Sequence, residues 1–291
     1  MNAADNNTHL SELELHAFEA DAKVAVLATV SPEGLPHITL LTSLQGKDAD
    51  TLMFGQFTEG ASKENLRQHP ESAFIVMTAD SLLWQGKARW RGQAKSGADY
   101  DAYNHKPLFR YNAYSGIHTV HYLDLLEIAG PRKPSKIRIA AGHFATALRA
   151  QRAATRESFP ILNTWTRSLL SKAGTLKFLA WIGEDGYPLL HPLVPCVAAG
   201  GKGLVFAGGR LDEGLPPEDT PIAVLALNLN MESVLLRGRF LGCRRRLGVP
   251  TGGIEVDWIY NSMPPKQGQI YPIEPIRGVS FEQSGASHRA A

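Results

Sequence analysis

Residues 58–70 read Thr58-Glu59-Gly60-Ala61-Ser62-Lys63-Glu64-Asn65-Leu66-Arg67-Gln68-His69-Pro70. An apolar run ends just before them at Phe57, a glycine-containing loop follows, and Ser62 stands where a helix is expected to begin. The first N–H groups of a helix have no intrahelical acceptor, and the aligned peptide dipoles leave a partial positive charge there. A serine hydroxyl and a lysine ammonium at the same place make an anion site, and a phosphate with two negative charges is its natural ligand. A Ser-Lys pair at a helix start is equally an ordinary cap beside a solvated lysine. Its position directly after the third strand of a small β domain favours the anion.

Other groups able to do chemistry are scattered. His37 and His191 lie in or just after two tight turns, and His118 and His121 flank the start of a strand. An imidazole titrates near neutrality and could relay a proton, although most histidines in such places are simply exposed or hydrogen-bonded. No Ser/His/Asp grouping or Gly-x-Ser-x-Gly turn is visible. Gly200-Gly201-Lys202-Gly203 is a hairpin turn and lacks the phosphate-loop spacing. The two cysteines, Cys196 and Cys243, form no Cys-x-x-Cys or Cys/His pattern for zinc. Both fall in apolar, strand-like stretches and are expected to be buried free thiols.

The elements that must position these residues repeat. Leu27-Ala28-Thr29-Val30-Ser31-Pro32-Glu33-Gly34-Leu35-Pro36 and Leu179-Ala180-Trp181-Ile182-Gly183-Glu184-Asp185-Gly186-Tyr187-Pro188 share Leu, Ala, Gly and Pro at an offset of 152, which also pairs Leu52-Met53-Phe54 with Leu204-Val205-Phe206. Gly238 aligns with Gly92 at offset 146 or with Gly86 at 152. The chain is read as a tandem duplication. In the first copy, strands are expected over Val24–Val30, His37–Leu44, Thr51–Phe57, Ser72–Thr78, Leu82–Ala94 and Val120–Ile128. Ser-Pro-Glu-Gly forms the first tight turn. Helices are expected before each first strand, capped by Ser11 with Glu14 and by Thr164 (over Trp165–Lys172), and over Asp99–Tyr114. Short strands with turns every eight to twelve residues and few helices describe a mostly β barrel or sandwich. The expected domains are residues 1–130, a basic then Ala-rich helical linker over 131–160 with its helix at Ala140–Arg152, and residues 161–291.

Composition sets the outer limits. The 291 residues carry 30 Lys plus Arg against 28 Asp plus Glu, and 44% are hydrophobic. A chain of this length and apolar content buries roughly three-quarters of its unfolded surface, which excludes disorder. The near-balanced charge argues against a nucleic-acid partner, so the basic runs Arg132–Arg138 and Arg237–Arg246 are read as solvated loops and strand edges. The polar N-terminus does not read as a signal peptide, and no apolar run reaches the ~18 residues that cross a bilayer. The expectation is a soluble cytoplasmic protein with no membrane partner.

The order strand, Pro-Glu-Gly-x-Pro-His turn, strand, Ser-Lys-x-Asn-Leu-x-x-x-Pro and a strand ending in Arg-Gly-x-Ala resembles the pyridoxamine 5′-phosphate oxidase-like FMN-binding split barrels. The resemblance covers Ala25 to Ile128 and, more loosely, Phe178 to Pro275. It implies a six-stranded split barrel that pairs with a second barrel and holds FMN at their junction. Such barrels normally form homodimers; here the two copies would pair within one chain as a pseudo-dimer, with further homo-oligomerisation left open. Carried over by position, Ser62 and Lys63 would hold the FMN phosphate with Thr58 nearby. Gly55 and Gln56 would lie along the ribityl chain or flavin edge, and Thr39, Thr42 and Ser43 would line the ring. The true oxidases carry Arg and Lys along the second strand, where this chain has Thr39-Leu40-Leu41-Thr42-Ser43-Leu44, so pyridoxamine phosphate oxidation itself is not implied.

The second copy departs from the motif, with Asp212-Glu213-Gly214-Leu215-Pro216-Pro217-Glu218-Asp219 where Ser-Lys-x-Asn-Leu is expected. Four carboxylates repel a phosphate and two prolines break the helix. One FMN per chain follows, with the second copy as a structural partner that lends Tyr260 and Asn261, from the aromatic and Pro-rich segment Trp258–Gly268, to the flavin's far face. A rigid turn packed on the barrel explains that segment equally well. The functional reading is an FMN-dependent oxidoreductase acting on a small-molecule substrate or electron donor. The alternatives are a non-catalytic haem- or flavin-binding redox carrier and a deazaflavin-dependent reductase.

Overall fold

A computed structural model describes residues 7–57, 59–106, 116–133, 146–147, 150, 160–172, 174–193, 195–207, 214–228, 230, 232–246, 249–261 and 268–272. The first copy comprises β1 (Lys23–Val30), β2 (Pro36–Leu40), the two-residue β3 (Gln45–Gly46), β4 (Thr51–Gln56), β5 (Glu71–Thr78), β6 (Leu83–Ala94) and β7 (Thr119–Arg132). They form one antiparallel sheet in the order β2-β1-β5-β6-β7-β4-β3. The second copy comprises β8 (Leu176–Ile182), β9 (Pro188–Pro192), β10 (Cys196–Ala199), β11 (Gly203–Ala207), β12 (Pro221–Leu227), β13 (Ser233–Arg246), β14 (Val249–Asn261) and β15 (Gly268–Tyr271). Its order β10-β11-β14-β13-β12-β8-β9 is the same path, with β15 added on β14. The protein is mostly β, a tandem of split barrels.

Among the described residues each path is open rather than closed by hydrogen bonds. Its strands nevertheless wrap one interior, because side chains alternate between faces. In the first copy Leu27, Phe74, Val76, Trp84, Leu123, Leu52 and Phe54 meet inside. The helix α1 (Glu12–Glu19) plugs that interior with Phe18, which meets Phe74 and Trp84 edge to face at 6.2 and 5.7 Å. The expected capping box holds: Glu14 accepts from the Ser11 N–H at 2.9 Å, and its other oxygen accepts from the Trp84 indole at 3.1 Å. In the second copy the corresponding helix spans Thr164–Ser171 and delivers Leu169 and Leu170 to the interior. Its cap is Asn163, whose side chain accepts from the Thr166 N–H at 2.8 Å, and not Thr164.

The alternate residues of the same strands face the other barrel. Val26, Ala28, Ile38, Ala73 and Ile75 pack against Phe178, Ala180, Leu190, Ala223 and Leu225 in one buried layer. These are equivalent positions. Leu27 pairs with Phe74 and Leu179 with Val224, while Phe74 pairs with Gly86 and Val224 with Leu236. The same patch of each copy meets its own counterpart, the arrangement of a two-fold dimer interface within one chain. Register also settles the alignment left open above. Gly238 stands opposite Ile222 as Ala88 stands opposite Ser72, an offset of 150, so neither Gly86 nor Gly92 is its counterpart. The first copy inserts its extra residues after β6, where α3 (Ala98–His105) precedes β7, whereas β13 runs almost directly into β14.

Cys196 is buried, and burial pushes its thiol up to about 12. Cys243 is exposed, contrary to expectation: Gly242 adopts φ +74° and the β13–β14 register shifts between Phe240 and Cys243, which turns the thiol outward. Of the expected Ala140–Arg152 helix only residues 146, 147 and 150 are described, and these are helical; the C-terminal half of the expected Asp99–Tyr114 helix lies outside the described residues. Among the described residues no helix is long and apolar enough to cross a membrane.

Candidate functional site

The Ser62-Lys63 segment opens a helix, as expected. α2 (Ala61–Gln68) begins after Gly60, whose extended backbone offers no side-chain cap; the Lys63 N–H donates to the Gly60 carbonyl at 3.1 Å, and the Ala61 and Ser62 N–H groups ahead of it have no intrahelical acceptor. α2 is fastened to β1 by the Asn65 amide, which donates to the Thr29 hydroxyl at 3.0 Å. Leu66 is fully buried in the barrel interior. Ser62 is buried, and Lys63 folds back toward Gly60, since a Cβ built there would lie 3.6 Å from the Lys63 Nζ. No carboxylate among the described residues comes within 4 Å of that ammonium. Burial pushes the lysine below its ordinary value, and Glu59 opposes this only at longer range.

Beside this helix start lies a chain of buried polar groups. Gln56, at the end of β4, is 1% exposed, and its Oε1 lies 2.6 Å from His121 Nε2. The other His121 nitrogen accepts from the Trp90 indole at 3.2 Å, and the ring stacks on Phe54 at 4.7 Å. With Nδ1 accepting, Nε2 carries the proton and the Gln56 carbonyl accepts it. The Gln56 Nε2 amide is then buried with no partner. Such an orphan donor costs about 1–3 kcal/mol and is uncommon in native proteins unless something else satisfies it. Burial, then the charges of Lys63, Arg67 and His118, drive His121 down to about 4.

The second barrel enters at His37. This residue sits on β2 opposite Thr29, and its Nδ1 accepts from Arg237 Nη2 of β13 at 3.3 Å. Burial, then the charges of Arg237 and Lys63, push His37 down to about 3. Both imidazoles are therefore neutral at neutral pH. Arg237 lies over the Trp258 ring at 4.7 Å, and Trp258 stacks in parallel with Tyr260 at 5.5 Å.

The other expected residues divide. Thr39 is half-buried on β2, opposite Leu27. Thr42 is exposed in the turn after β2, because that strand stops at Leu40 and does not continue to Leu44. Ser43 lies beneath the site and not on its surface: it is 2% exposed, and its hydroxyl donates to the Gly55 carbonyl at 2.7 Å. Gly55 answers to packing, since a Cβ there would fall 2.1 Å from Ile117 Cδ1. Asn261 ends β14 opposite Val234, and Tyr260 reaches the site only through Trp258 and Arg237. Thr58 lies outside the described residues.

Arg237 is the residue that sequence reasoning missed. It falls in a basic run that reads as solvated, yet it is half-buried between the barrels. The signal available was the repeat itself, which at the right offset puts Arg237 in the place of Lys87. Among the described residues no group of three or more His, Cys, Asp or Glu could hold a metal.

In the second copy no helix follows β11 among the described residues. Residues 214–220 form only a turn before β12.

Residues 12–121 match the family described as pyridoxamine 5′-phosphate oxidase. No curated protein matches the chain. Among solved structures, an FMN-binding protein from Syntrophomonas wolfei subsp. wolfei is 13% identical, over 42% of this chain and 86% of its own, with a TM-score of 0.36. HupZ from Group A Streptococcus is 16% identical over 43% and 99%, with a TM-score of 0.35. An F420 reductase is 17% identical over 41% and 98%, with a TM-score of 0.34. Over residues 12–121 the chain is thus similar in sequence to the pyridoxamine 5′-phosphate oxidase family.

Proposed function

We propose that the chain is an FMN-binding redox protein, distinct from the true pyridoxamine phosphate oxidases, with one cofactor held by the first barrel. The observation that carries this reading is the desolvated Lys63 ammonium, with no carboxylate among the described residues within 4 Å, at the N-terminus of α2 near an orphaned Gln56 amide. Lys63, the Ser62 hydroxyl and the first N–H groups of α2 would hold the phosphate, and the Gln56 amide would gain an acceptor. FMN, when bound, supplies the electron or hydride transfer. The chain's own contribution is position and a dry, neutral environment. His37 and His121 are buried without charge, and Phe54 and Trp90 hold the His121 ring in one orientation. No side-chain nucleophile is required, in agreement with the absence of a catalytic triad motif from the sequence.

The visible absorption spectrum of the purified protein tests the cofactor. A flavin spectrum, present at once or after FMN is added, is the expected result. A haem or deazaflavin spectrum would replace this reading with one of its alternatives, and a protein that stays colourless with added FMN would end it.

A further inference from the structure

The duplication carries an internal template for a ligand of the second barrel. Lys87 and Arg237 hold the same place in the two copies: Lys87 stands opposite Ala73 and Arg237 opposite Ala223. Lys87 reaches across to the first hairpin of the other barrel, where Asp185 takes its charge at 2.7 Å, and Glu127 of its own barrel stands at 3.6 Å. The cleft beside it is filled to a residual volume of about 30 Å³.

Arg237 reaches across in the same way and finds neither carboxylate. Glu33, the counterpart of Asp185, turns back to accept from the Ser31 hydroxyl at 2.7 Å. Trp258 faces Arg237 across the strands where Glu127 faces Lys87. Among the described residues no carboxylate lies within 4 Å of the guanidinium, whose Nε–H is buried with no acceptor. Burial pushes Arg237 below its ordinary value, with Glu33 and Asp257 opposing from a distance. Beside it lies a mostly apolar cleft of about 210 Å³, walled by Leu35, Pro36, Ile222 and Trp258, with Arg239 and Asp257 also lining it. A cavity of about 150 Å³ is enough to hold benzene. Two arginines and one aspartate leave a single net positive charge, which suits a monoanion better than a phosphate.

We propose that this cleft binds a small aromatic monocarboxylate, whose carboxylate takes at Arg237 the place that Asp185 takes at Lys87 and whose ring fills the apolar space beside Trp258. A guanidinium meets a carboxylate with two parallel N–H donors, so the pairing is specific as well as strong. The site stands whether or not the first barrel holds FMN. Only the ligand's role as the redox substrate rests on the flavin reading.

The test is calorimetric titration of the full chain with benzoate and with benzamide, a neutral probe of the same shape. Saturable benzoate binding at one site per chain is expected, with benzamide at least tenfold weaker. Arg237→Gln should weaken benzoate at least tenfold and leave benzamide unchanged. Equal binding of the two probes, no benzoate binding, or full displacement of benzoate by equimolar inorganic phosphate would overturn the proposal. The comparison of probes on the wild-type chain decides this even if Arg237→Gln fails to fold. FMN titration of the same wild-type sample separates the two readings: FMN binding without benzoate binding sinks only the cleft, and benzoate binding without FMN sinks only the flavin.

Discussion

Replacing Lys63 with methionine should have opposite effects on the empty and the loaded protein. Methionine keeps most of the unbranched stem and removes the charge. In the ligand-free chain the ammonium is desolvated, and no carboxylate among the described residues lies within 4 Å of it. Losing it should therefore leave stability unchanged or raise it by up to about 1 kcal/mol, since an unpaired, partly buried charge disfavours folding. With a phosphate bound, the same substitution removes a charge-assisted hydrogen bond worth about 1.5–3 kcal/mol. At 1.4 kcal/mol per tenfold, the Kd for FMN should rise about 10- to 100-fold. Riboflavin has the same ring and ribityl chain without the phosphate, so its affinity should change less than about twofold on the same argument. Flavin fluorescence titrations at fixed ionic strength, with thermal melts of the ligand-free proteins, give all three values. Equal losses for FMN and riboflavin would place Lys63 away from the phosphate. A ligand-free variant that melts several degrees lower would make Lys63 a packing residue.

Acid should unfold the protein early. His37 and His121 have folded values of about 3 and about 4, below the ordinary imidazole value near 6.5, so the unfolded chain takes up protons first as pH falls. The stability they contribute is present above pH ~6.5 and lost as pH drops towards ~4, on the order of 4 kcal/mol between pH 7 and pH 5, which urea titrations at the two values would measure. A flat profile over that range would contradict the burial of both rings. Gly238→Ala and Gly86→Ala put a Cβ 1.9 and 2.1 Å from the Glu255 and Glu127 carbonyls and should each cost about 1–3 kcal/mol or more, whereas Gly92→Ala meets nothing within 4 Å and should be neutral, as denaturant melts would show. Leu225→Ala opens the layer between the barrels and should cost about 2–5 kcal/mol by the same assay. A thiol reagent should label Cys243 at once and Cys196 only after unfolding, giving one fast thiol per chain.

Much of the fold was legible because turns and periodicity are local properties. The Ser31–Gly34 turn, the strands around it, the Ser11 capping box and the start of α2 all follow from residues close together in the chain. What was not legible depends on partners distant in sequence. Ser43 and Gly55 read as ligand-facing until the fold supplied Ile117 and the hydrogen bond between them. Arg237 read as a solvated charge because nothing near it in sequence shows that His37, two hundred positions away, packs against it. Thr42 fell outside its strand because β2 ends early, and an element's end is where local preference is weakest. The repeat was legible, but its offset drifts from 152 at β4 to 150 at β6, and the size of that drift is fixed only by strand register.

The proposed function requires a single phosphate-anchored flavin site per chain, built by the first barrel and absent from the second. Calorimetric titration of the ligand-free chain with FMN, with protein concentration fixed by amino-acid analysis, tests it most directly. A stoichiometry of one is expected, reduced to weak binding by Lys63→Met. Two equivalent sites per chain, or one site indifferent to Lys63, would contradict it.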